Sequence, residues 1–196
     1  MMATQRGIEV ACQAVVELLR DNYVPAAFNR PLDFQVLSSG GFAQAPDAGV
    51  TLFLYRLVVN DAHRTPPGRR GDDGQRRYSQ LPLDAHVILT AWAPQPSLQQ
   101  SIAGWMMRTM DDHRVIPHGL LDRLTPGVFR DDEAVEVVLG DIVTEDLLHL
   151  WELLGSDSYE ISVPYVLRNI RIESERELVS AAVVHERIAD YRGMDT

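Results

Sequence analysis

Residues 50–59, VTLFLYRLVV, form an almost unbroken run of apolar, β-branched and aromatic side chains. Side chains of this kind suit a pleated, buried surface, and apolar residues at both parities near the middle of the run place it inside a sheet rather than at its edge. The rest of the chain must supply that sheet with neighbours. Phe34 and Val36 suggest a short strand before the Gly40–Gly41 turn, and 83–93 reads as a further strand ended by Pro94 and Pro96. Residues 134–139 read as another. In 146–174, DLLHLWELLGSDSYEISVPYVLRNIRIES, the period changes midway. Leu147, Leu150, Trp151 and Leu154 fall at helical spacing, and Tyr159, Ile161 and Val163 then alternate with polar residues as a half-buried strand does. Pro164 in that strand, 159–173, marks an edge, a bulge or a change of direction.

Three stretches read as helices. Residues 7–21 carry Ile8, Ala11, Cys12, Val15 and Leu19 on one face. Ser97 is a suitable cap for a helix to about Asp112, with Leu98, Ile102, Trp105, Met106 and Met110 as its apolar positions. Thr144 caps the third, 145–154, where Glu145 and Asp146 suit the positive end and Gly155 the stop. Residues 114–130, broken by Pro117, Gly119, Pro126 and Gly127, read as irregular. The order α-β-β-β-α-β-α-β predicts a single α+β domain over 1–175, a mainly antiparallel sheet packed by about three helices. A C-terminal arm, 176–196, suits either a helix or an extended strand; Val183 and Val184 are its candidate partner-binding residues.

A chain of 196 residues is expected to fold as one domain with a sizeable core. No window is apolar enough to span a bilayer, and Met1–Arg20 lacks the pattern of a secretory signal, so membrane insertion is not expected and a cytoplasmic start is. Cys12 is the sole cysteine, so no internal disulfide forms. A net charge of −10 argues against nucleic acid as a partner, because such binding draws its affinity from cations on phosphates. All 18 basic residues are arginines. The missing lysine excludes phosphate-loop, Schiff-base and general-base lysine chemistry. Five of the arginines, Arg64, Arg69, Arg70, Arg76 and Arg77, lie in 60–80, a polar Pro/Gly-rich stretch without periodicity that is expected to be a mobile loop and a partner-binding element.

The search for chemistry is negative. Asp84 and His86 share a strand face, and Asp111, Asp112, His113 and His118 follow, so a metal-dependent hydrolase using Asp84, His86 and His118 is conceivable; the spacing matches no zinc signature. SSGGF at 38–42 is a turn, not a phosphate loop, and no G-x-S-x-G elbow exists. Cys12 faces the apolar side of its helix. No catalytic residue, cofactor or metal is therefore expected, which favours a structural or interaction protein. Trp151 fits the core best, ahead of a subunit contact or a ligand pocket.

Four blocks, VTLFLYRLVVNDAHR (50–64), LPLDAHVILTAWA (81–93), IAGWMMRTMDDHRVIPHGLL (102–121) and residues 146–174, occur in an order that resembles the tail-terminator, or cap, proteins of extracellular contractile injection systems, phage-tail-like particles of the virulence-cassette and anti-feeding-prophage type. The resemblance spans about residues 8–174. The family's Leu-Asp-Leu-His-Tyr element reads Leu83-Asp84-Ala85-His86-Val87, losing one aromatic. The resemblance implies a tail-terminator-like fold and a homo-hexameric ring that ends the inner tube and anchors the last sheath layer. Its partners would then be the tube and sheath proteins, in a particle assembled in the cytoplasm and released or tethered. A completion or neck ring of a phage tail is the alternative within assembly.

Overall fold

The computed structural model describes residues 5–63, 80–154 and 159–173. Helix α1, Gly7–Asp21, lies at its centre. Val10, Ala11, Cys12, Ala14, Val15, Val16, Leu18 and Leu19 are all buried, and only a narrow stripe through Glu9, Gln13 and Arg20 meets solvent. The buried arc is wider than a single amphipathic face because α1 is covered from several sides; it touches strands and helices alike. Ile8, expected in the core, packs against it only partly buried.

The strands are β1 Asp33–Leu37, β2 Gly49–Val59, β3 Gln80–Trp92, β4 Val115–Ile116, β5 Val135–Leu139 and β6 Ser162–Glu173. They form one six-stranded sheet in the order β1-β2-β3-β6-β5-β4. β2 is interior, as its composition requires. All pairs are antiparallel except β1 with β2, which is parallel. The sheet is therefore mixed, because the chain between β1 and β2 crosses over instead of turning back. It does so through a 3-10 turn at Ser39–Gln44. Gly49 makes the parallel start possible: its φ is +154°, and a Cβ there would lie 1.9 Å from the Asp33 carbonyl oxygen.

Two bulges keep the alternation in phase with the core. In β2, Leu54 pairs with Val87 but Arg56 with His86, so Tyr55 is an extra residue. In β6, Leu167 pairs with Ala85 and Ile170 with Leu83, so one extra residue is absorbed, and Asn169 sits at φ 67°. Without the second bulge, Leu167 and Ile170 would point to opposite faces; with it both are fully buried on the same one.

One face of the sheet packs on α1, α2 (Pro96–Asp112) and α3 (His118–Leu124) through Leu83, Ala85, Val87, Leu89 and Ala91. Met106, Met110 and Ile102 of α2 are buried there, and Trp105 joins a ring cluster with Tyr23, Phe28 and Phe34. The other face is covered at one end by α4, Thr144–Leu153. Four α-helices thus occur among the described residues, one more than expected. The extra one is α3. It and β4 lie in 114–130, where Pro117 precedes the helix as its cap and Leu120 and Leu121 are buried against the core. A seven-residue helix has too few turns to show a period in sequence. The caps also differ. Pro96 starts α2 after Gln95, and Thr144 is the first residue of α4 after Val143, so neither Ser97 nor Thr144 occupies the capping position.

Candidate functional site

The second face of the sheet divides in two. At its lower end, toward Gly49, the rings of Phe42, Trp92 and Tyr159 surround Trp151 with centroids 5.5, 5.9 and 5.7 Å away. Ile88 and Leu147 complete this second core, with Leu150 and Leu154 packed on it. A hydroxyl row runs beneath: Thr51, Thr90 and Ser162 face one another across three strands. Trp92 Nε1 donates to Thr51 Oγ1 at 2.8 Å, and Thr90 Oγ1 lies 2.9 Å from Ser162 Oγ. The three hydroxyls of the row are all hydrogen-bonded and Trp151 is buried among the rings, so Trp151 is core.

Toward Val59 the same face is open. A groove of about 390 Å³ runs between α4 and the strands, lined by Tyr55, Arg56, His86, Val143, His149 and Leu150 among others. His86 meets Tyr55 edge-on at 6.0 Å. Its pKa lies below the ordinary value, first because burial penalises the imidazolium and next because Arg56 repels it; Asp84 pulls the other way and Arg168 adds a weaker repulsion. Asp84 accepts from Asn60 Nδ2 at 3.2 Å.

The six candidates for metal chemistry are not brought together. His86 sits on the open face of β3, whereas His118 begins α3 on the helix-covered side, so the sheet stands between them. His118 Nε2 is 3.5 Å from Asp131 Oδ1, and its Nδ1 is buried without a hydrogen-bond partner. His113 Nδ1 is 3.0 Å from the Thr109 carbonyl oxygen. Asp111 and Asp112 pair with Arg108, and Asp111 also with Arg114. Among the described residues no group of three His, Cys, Asp or Glu side chains could hold a metal ion. Burial pushes the Cys12 thiol up to about 12, far from a reactive thiolate.

The arginines proposed as partner contacts, Arg64, Arg69, Arg70, Arg76 and Arg77, and Val183 and Val184 of the arm, lie outside the described residues. Their points of attachment are defined. Gln80, which follows the arginine segment, pairs with Glu173, which precedes the arm, so both segments join the sheet side by side at one end. Glu173 is held there by Gln80 Nε2 at 2.7 Å and by an ion pair with Arg130. This adjacency is not legible in the sequence, because it depends on the pairing of β3 with β6. No described helix is long and apolar enough to cross a membrane.

This α+β architecture is shared by two solved tube terminators. The sheath/tube terminator, in its extended state, of the extracellular contractile injection system PVC matches with a TM-score of 0.58 at 16% identity, over 98% of this chain and 66% of that one. The tube-terminating cap of the anti-feeding prophage matches with a TM-score of 0.60, also at 16% identity, over 91% of this chain and 59% of that one. The chain thus spans about two thirds of the length of these structures or less. No curated protein matches it. Residues 11–186 match the model of the Pvc16 N-terminal domain, and the chain belongs to that family.

Proposed function

We propose that this chain is a structural cap of a contractile injection system. It forms a hexameric ring that terminates the inner tube and anchors the last sheath layer at the end distal to the baseplate. The family match over 11–186 carries this reading, and the fold shared with the PVC sheath/tube terminator and the anti-feeding prophage cap supports it. The mechanism is binding, not catalysis. A terminator must occupy the surface that the next tube ring would use without presenting an equivalent surface above. An asymmetric subunit does this, with a rigid sheet as its body and its extensions gathered at one end. The pairing of Gln80 with Glu173 supports the second feature: the residue that follows the arginine segment and the one that precedes the arm are neighbours in the sheet. In this reading residues 1–175 form the ring and 176–196 the arm, with the arginines contacting acidic tube or sheath surface. Assembly takes place in the cytoplasm.

Deleting the gene and imaging particles by electron microscopy tests the proposal. Tubes of uncontrolled length, or few stable sheathed particles, are expected. Normal length distributions with full sheaths would overturn it.

A further inference from the structure

The two margins of the sheet are stepped, and the steps are complementary. At the first margin β1 covers β2 only from Gly49 to Phe53, leaving Leu54–Val59 without a strand beside it among the described residues. At the second margin β4 lies beside β5 only at Val135 and Glu136. Below these, Val137 N–H still donates to the Arg114 carbonyl at 2.8 Å, but no described strand follows. Gly140 N–H donates inward to the Pro164 carbonyl, so by alternation the N–H of Leu139 points outward. The row Leu54–Val87–Tyr165–Leu139 crosses the sheet where both margins are open. On the Gly49 side of that row β1 fills the first margin; on the Val59 side β4 fills the second.

Both margins expose apolar side chains, beside the charged Arg56 on the first and Glu136 on the second. Val36, Leu57 and Val59 on the first, and Val115 and Leu139 on the second, are between 41% and 66% exposed. Beside Leu139 a groove of about 410 Å³ opens onto Met107, Met110, Val137 and Tyr165.

We infer that the occupant of each margin is the other margin of a second copy, so that β4 of one chain lies along Leu54–Val59 of the next while the next chain's β1 fills the space on the Gly49 side of Leu139 of the first, where β5 has ended. Like-to-like pairing of the first margin would also fit its step, but it would leave Val115, Leu139 and Met107 exposed and would stop at a dimer. Pairing unlike margins covers both in every copy and is the heterologous type of contact from which rings close. This inference rests on the cap reading for its ring and adds the surfaces that close it.

The register selects the test. Val58 lies opposite Asp84, and Val115 lies opposite Glu136, which pairs with Arg168 in the same row. Both therefore sit at one height on the face away from α1. Val58→Cys and Val115→Cys chains are made separately; buried Cys12 remains silent in both. Under mild oxidation the mixture yields a disulfide-linked dimer, neither chain alone does, and the doubly substituted chain yields a ladder. Dimer from either variant alone, or no more dimer in the mixture than with Gln13→Cys on the exposed stripe of α1, overturns the inference. Binding to tube ends is scored separately on the same variants. Cross-linking without tube-end binding removes the cap reading and leaves the margin pairing; tube-end binding without the Val58–Val115 product removes the margin pairing and leaves the cap.

Discussion

Trp151 shows what one side chain does in this fold. It is 4% exposed and joins α4 to the sheet through three other rings. Trp151→Ala is expected to cost about 3–5 kcal/mol, since the cavity cannot be refilled by its rigid neighbours. Chemical denaturation measures this, and Trp151→Phe should recover part of the loss. A small effect would show that α4 is held elsewhere. His86 makes a pH prediction. Its imidazole titrates below the unfolded value of about 6.5, so between the two pKa values the unfolded chain binds the extra proton. The stabilisation from keeping it neutral is full above that value and is lost as pH falls through it toward the folded pKa. Arg56, Arg168 and Asp84 act on His86 directly, and Asp141, Asp146 and His149 line the groove it faces. The stability advantage of wild type over His86→Gln should therefore shrink between about pH 7.5 and about pH 5.5. Unfolding midpoints for both proteins across that range provide the check.

Among the elements, the parallel β1–β2 pair depends on one backbone position. Gly49 holds a φ that a side chain tolerates poorly, at a cost on the order of 1–3 kcal/mol, and a methyl group would in addition collide with the Asp33 carbonyl. Gly49→Ala should detach β1 before the rest of the sheet. Faster amide exchange across Asp33–Leu37, with β3 and β6 still protected, is the expected result. β6 shows how a proline survives in an interior strand. At Pro164 β5 has already ended, its last residue Leu139 pairing with Tyr165, so on that flank β6 is locally an edge. The three readings of Pro164 reduce to this one. The exposed ion pairs on α1 and α2 contribute little by comparison, on the order of 0–1 kcal/mol each.

For the whole molecule, the charge distribution matters more than the net charge. The arginine segment is basic on an acidic chain. If it contacts an acidic face of tube or sheath, reversing Arg64, Arg69, Arg70, Arg76 and Arg77 should weaken capping and flatten its dependence on salt. Tube-end occupancy counted in micrographs at low and high ionic strength reads both effects. Removing residues 176–196 should leave the thermal transition of the domain in place but loosen the sheath, visible as partly sheathed particles. An unchanged sheath would assign its anchoring to the domain itself.

The sequence alone determined the elements whose signal is local and long. The Val50–Val59 strand, the first and last helices, and the switch of period around Gly155 follow from which side chains must be hidden and at what spacing. The α+β class follows from their order. The blocks that resemble tube terminators were also legible, because they consist of these same elements. Tertiary structure decided what depends on partners distant in the chain. It made β1 parallel to β2, and it gave α3 and β4 their form by packing two leucines and an isoleucine that carry no period of their own. The bulges at Tyr55 and beside Asn169 arise where a neighbouring strand runs out of phase with the core. The stepped margins come from strand lengths that match only partly once paired. Register and pairing are properties of two segments at once, and no single segment carries them.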